Sequence, residues 1–263
     1  MASNNGVSVR DHLKDGTHFE KITEFYQTAF AEFMAELSGR QGEGYLTTAD
    51  IAWLWGFYSL YASYSRGDPI VTMRQHVKTL ANLFCQNRKA LQKAEREASV
   101  SQETIAMYSR LDLDTMDQFF ALLAFMVALR FEPAEIVRVL DVSGFSPQDV
   151  LLGKIAKLLG CQVAQPSDGL KFPKCYKNLL AVVNAPANDQ PAALLRHMQN
   201  WEKGIKKIAW HGSQPGDSYS GYWAFEAALV AMLYKIDDSA VQGLPYYPAD
   251  LVRHYRASAP IGN

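Results

Sequence analysis

The sequence has 263 residues, of which 48% are hydrophobic and 12% aromatic. That length and composition exclude a disordered polypeptide and allow one large domain or two packed together. A formal charge of −1 excludes a global electrostatic attraction to nucleic acid. The longest uninterrupted apolar stretch, Phe119 to Leu129, falls short of the ~20 residues needed to cross a bilayer, so no membrane partner is expected. The opening Met1–Gly6 has neither the charged start nor the apolar run of a secretory signal, which makes the cytoplasm the expected compartment. Three cysteines, Cys85, Cys161 and Cys175, form no CxxC pair and fit reduced thiols better than bridges or a zinc site.

Helical periodicity runs through the chain. From Thr17 to Leu37 the residues Phe19, Ile22, Phe25, Tyr26, Phe30, Phe33, Met34 and Leu37 recur at three- and four-residue steps, and Thr17 followed by Glu20 reads as a capping box. A second, nearly all-apolar helix passes through Trp53, Trp55, Phe57 and Tyr61. Pro69 fits the first position of a third that reaches Glu97. Ser101 opens a short helix, and Asp112 or Asp114 caps a segment from Thr115 to Phe131 whose apolar residues surround the axis, as in a buried core helix. Helices opened by Pro133 and Pro147 follow. Others are expected over 174–184, 190–210 and 219–236, with a short turn of helix after Pro248. No alternating strand pattern meets a hairpin turn. The expectation is an all-α protein of about ten helices without significant sheet, in two adjoining helical units, residues 1–130 and 131–263.

The chemical motifs of nucleotide, zinc-protease, serine-hydrolase and calcium sites are all missing, so no cofactor or metal is expected. Two acidic clusters have competing readings. Asp112, Asp114 and Asp117 fit a divalent-metal site, or a cap and first turn complementing the helix dipole. Asp237-Asp238 fits a metal or acid/base site with His211 or His254, or a helix-ending turn.

Local charge is more informative than the total. Between Pro69 and Arg110 seven basic side chains face three acidic ones, whereas between Leu111 and Val150 seven acidic side chains face two basic ones. The acidic stretch contains Asp112, Asp114, Asp117, Glu132, Glu135 and Asp141. It reads either as a solvated helix face or as a docking surface for a basic protein such as a nuclease.

The last third of the chain carries a more specific pattern. Leu170-Lys171-Phe172-Pro173-Lys174-Cys175-Tyr176 is followed by Trp201, Trp210-His211, Gly221-Tyr222-Trp223-Ala224-Phe225-Glu226-Ala227-Ala228, Ile236-Asp237-Asp238-Ser239 and Tyr246-Tyr247-Pro248-Ala249-Asp250-Leu251-Val252. In order and spacing this resembles the PoNi-type immunity proteins. Tyr64-Ser65-Arg66-Gly67-Asp68-Pro69 extends the resemblance more weakly to the first half. The resemblance implies two helical parts and a non-enzymatic inhibitor that binds a PoNe-like DNase toxin, often a type VI secretion effector, in the cytoplasm. It does not specify the binding face or the oligomeric state.

Read physically, Trp210, His211, Tyr222, Trp223, Glu226, Asp237, Asp238, Pro248 and Asp250 are expected to determine the fold. A buried Glu226 needs a Tyr, Trp or His partner. Asp112, Asp114, Asp117, Glu132, Glu135 and Asp141, with the aromatic turn Tyr246-Tyr247, are the expected toxin-binding residues. The competing functional reading is an all-α enzyme with Asp237, Asp238 and His211 as metal ligands.

Overall fold

A computed structural model describes residues 9–258; Met1–Gly6, read above for a secretory signal, lie outside them. Eleven α-helices and four short 3-10 turns occur among the described residues, with no strand. The chain forms two compact units. One takes the chain to Arg110 together with Gly212–Tyr222, and the other takes Leu111–His211 and the chain from Trp223.

In the first unit, α1 (Gly16–Glu36) buries Phe19, Ile22, Tyr26 and Phe30 along one stripe. Its cap is Asp15, which accepts the His18 amide at 2.8 Å, and not Thr17. A carboxylate two residues earlier reaches the free amides of the first turn equally well. The buried α2 (Gly42–Arg66) ends at Gly67, whose φ of +99° places it in the left-handed conformation that closes helices. Pro69 precedes a 3-10 turn, Ile70–Met73, and α3 (Arg74–Arg96) starts after it. α4 (Gln102–Ser109) is capped by Ser101.

Consecutive helices pack side by side. At Gly56 of α2, a Cβ would lie 2.5 Å from Leu80 and 3.0 Å from the Phe30 ring, so the crossing of α2 with α1 and α3 requires a bare backbone. The returning segment Gly212–Tyr222 is bonded into this unit. Tyr219 donates its hydroxyl to Asp11 at 2.6 Å, Tyr26 donates to the Ser218 carbonyl at 2.6 Å, and Ser65 donates to the Ser220 carbonyl at 2.8 Å.

The second unit contains α5 (Leu113–Ala128), α6 (Pro133–Ser143), α7 (Val150–Leu158), α8 (Pro173–Asn184), α9 (Gln190–Gly204), α10 (Phe225–Leu233) and α11 (Ala249–Ala257). α5 is buried on every side from Met116 to Ala128 and packs against α10, which is buried from Phe225 to Met232. α11 touches both. A helix apolar all round has to be enclosed on all sides, which explains why these two form the centre of the unit. Phe125 and Phe225 meet there at 4.9 Å between ring centres.

Two helices expected from periodicity are shorter in the structure. The one over 190–210 stops at Gly204, where the chain passes so close to α8 that a Cβ would lie 3.2 Å from the Lys174 carbonyl oxygen. The one over 219–236 begins only at Phe225, because Gly221 has a φ of +116° and the preceding residues run non-helically. The apolar residues ahead of Phe225 record burial rather than a helical face.

Candidate functional site

The acidic stretch after Leu111 does not form one surface. Asp112 caps α5 by accepting the Thr115 amide at 2.9 Å. Asp114 accepts the Ala209 amide at 2.8 Å, and burial, opposed by that bond, moves its carboxyl above the ordinary range. Asp117 is only 5% exposed and accepts the Trp210 indole N–H at 3.3 Å. Asp114 and Asp117 thus hold the turns that follow α9, a role no local spacing announces. Glu132 and Asp141 are exposed and Glu135 half-buried. Glu135 accepts the Glu132 amide at 3.2 Å, which keeps these two side by side. Asp141 lies six positions further along α6, a different face of the helix. It accepts the Cys161 thiol at 3.0 Å, and burial together with this carboxylate pushes that thiol up to about 12.

The residues of the C-terminal motif converge instead on an interior polar network. Glu226 is 2% exposed and accepts the Trp201 indole N–H at 2.6 Å. The His197 ring nitrogen stands 3.5 Å from the same carboxylate oxygen. The second oxygen, Oε2, is buried without a hydrogen-bond partner. Trp201 stacks on Trp210, with 6.2 Å between ring centres, and meets the Tyr246 ring at 5.3 Å. Tyr246 is half-buried and adopts a φ of +68°, a conformation costly for a bulky side chain. Cys175 donates its thiol to the Gly204 carbonyl at 3.1 Å; burial, then the negative charges of Glu226 and Asp117, push its pKa up to about 11.

A second network surrounds Asp238, which is 1% exposed. It accepts the Tyr247 hydroxyl at 2.8 Å, the Gln242 amide at 2.9 Å and the Arg256 guanidinium at 2.6 Å. Asp237 is exposed and folds a turn by accepting the Ser239 amide at 3.0 Å, which holds its carboxyl below the usual range. The two adjacent aspartates therefore serve different tasks, and Asp237, Asp238 and His211 do not assemble a ligand set. Among the described residues no group of three His, Cys, Asp or Glu side chains is placed to hold a metal ion.

Trp223 and Pro248 are buried, and Asp250 pairs with Arg253 on α11. In the first unit, Tyr222 accepts the Ser213 amide through its hydroxyl oxygen at 2.9 Å and packs on Tyr219. His211 donates its amide to the Ile208 carbonyl at 3.0 Å and is half-buried.

Sequence reasoning missed His197 as a neighbour of Glu226. It also missed Asp149, which is fully buried, caps α7 with two bonds and also accepts the Lys171 amide at 2.7 Å. The Asp149-Val150-Leu151-Leu152 pattern, an aspartate directly before an apolar run, is a capping signal that points to it.

Residues 147–251 match the family model described as PoNe immunity proteins (PoNi), C-terminal. Among solved structures the fold is similar to that of protein PA2201 from Pseudomonas aeruginosa, with a TM-score of 0.63 and 18% identity over 95% of this chain and 99% of that one. At that identity the likeness is one of fold. No curated protein matches the sequence.

Proposed function

We propose, from the premise that this chain is a PoNi-type immunity protein, that it binds and neutralises a cognate antibacterial nuclease toxin in the cytoplasm of the producing cell. It does so as an inhibitor without catalytic chemistry of its own. The match of residues 147–251 to the PoNi C-terminal model carries this reading. The interior bonding of Glu226 and Asp238 supports it, since the carboxylates a hydrolytic site needs are committed to holding helices together. Of the acidic stretch, Glu132, Glu135 and Asp141 remain at the surface to meet a cationic toxin, with the half-buried Tyr246 as an aromatic contact. A nuclease offers positive charge to phosphates, and surface carboxylates compete for that charge.

The test co-expresses the chain with the nuclease encoded beside it. Cells survive if the reading holds, and die as they do without the chain if it does not. In the purified pair, Glu132→Lys/Glu135→Lys keeps the fold, slows association and flattens its salt dependence. An unchanged association rate removes this acidic edge from the interface.

A further inference from the structure

The first unit bears an aromatic surface that none of the interior networks uses. Phe25 of α1 is 55% exposed. It meets the edge of Trp55 at 5.6 Å and 83°, and Trp55 continues to Tyr58 at 6.1 Å; both are half-buried residues of α2. Beneath them lies the buried Tyr26, 5.5 Å from the Trp55 ring and 5.2 Å from that of Tyr58. Its hydroxyl is fixed on the Ser218 carbonyl at 2.6 Å, so the rings stand on a rigid floor. Single exposed apolar side chains are ordinary on a protein surface, but three contiguous aromatic rings on a fixed support have the composition of a binding anchor.

The surroundings are acidic. α1 exposes Glu20, Glu24, Glu32 and Glu36 against Lys21 alone. An open hollow beside Phe25 is lined by Asp15 and Asp217 as well as by Lys21 and His18. Glu36 is paired with Arg40 and Glu20 lies in the field of the Arg66 guanidinium, which leaves Glu24 and Glu32 as the acidic part of the rim. Aromatic centre and carboxylate rim fit one kind of occupant, a protein surface that is apolar at its middle and cationic around it.

We propose that Phe25, Trp55 and Tyr58 form the anchor through which this chain grips the cationic face of its nuclease toxin, with the α1 carboxylates steering the encounter. The inference rests on the immunity reading and adds to it an anchoring surface outside residues 147–251. A rigid anchor lowers the ordering cost of association, so affinity concentrates in these rings, while the glutamates act on the association rate.

The experiment measures binding of the full chain to the purified nuclease domain. Phe25→Ala and Trp55→Ala each weaken affinity about tenfold or more, mainly through faster dissociation. Glu24→Lys/Glu32→Lys slows association and flattens its salt dependence. Phe25→Ala retains the wild-type melting temperature because its ring is exposed, and it decides the matter alone should Trp55→Ala melt early. Wild-type affinity in a folded Phe25→Ala chain overturns the anchor and leaves the immunity reading standing. A wild-type chain that does not bind the nuclease overturns both. If sedimentation finds a wild-type dimer that Phe25→Ala dissolves, the surface is a seam between copies and the proposal is wrong.

Discussion

Glu226 illustrates what a single residue asks of its surroundings. A carboxylate 2% exposed is tolerable only where donors reach it, and the Trp201 indole at 2.6 Å is the strong one here. Trp201→Phe keeps an aromatic ring but removes the donor and part of the buried indole, and is expected to cost at least about 1–3 kcal/mol of stability in urea unfolding. A loss near zero would mean that Glu226 gains nothing from the bond. Cys175 offers a check by pH. Its thiol, pushed up to about 11, stays protonated in the fold at pH 8, so native alkylation runs at least about tenfold slower than in the unfolded chain. The folded value lies above the ordinary 9.0, so the thiol costs nothing below that pH, and stability declines as pH rises from there toward about 11. Native alkylation at the unfolded rate would place the thiol in water instead. The need for a partner to Glu226 was legible in the sequence; its identity, 25 positions away, was not. Asp117 was read from its neighbours Asp112 and Asp114 as part of an acidic cluster, because the Trp210 indole it receives comes from 93 positions downstream.

At the scale of elements, local rules worked where local forces decide. Ser101 and Asp112 mark helix starts by chemistry contained within one turn. They failed at Gly204, where close packing against α8 ends the periodic pattern, and at Gly221, whose positive φ delays the start of α10 to Phe225. Gly56 makes the contrast measurable. Alanine is the better helix former by about 1 kcal/mol, so propensity alone predicts that Gly56→Ala stabilises α2. The Cβ would nevertheless meet Leu80 at 2.5 Å and Phe30 at 3.0 Å, and overpacking of this kind costs about 1–3 kcal/mol. A lower melting temperature is therefore expected. A raised one would show that the three helices separate without cost.

For the whole molecule, the all-α class followed from periodicity, but the membership of Gly212–Tyr222 in the first unit did not. Its bonds to Asp11, Tyr26 and Ser65 span 208, 192 and 155 positions, beyond any local signal. The motif residues of the last third carried the resemblance that the match of residues 147–251 supports, while the aromatic surface of α1 and α2 was hidden as apolar periodicity, since a helix pattern does not say which ring is left uncovered. The central proposal is that this chain inhibits a nuclease by stoichiometric binding, without catalytic chemistry of its own. The most direct measurement titrates the purified chain into its cognate nuclease domain and follows DNA cleavage. The account predicts that cleavage falls linearly to zero at one equivalent, and that the chain alone cleaves nothing. Undiminished cleavage in the presence of excess chain would contradict it.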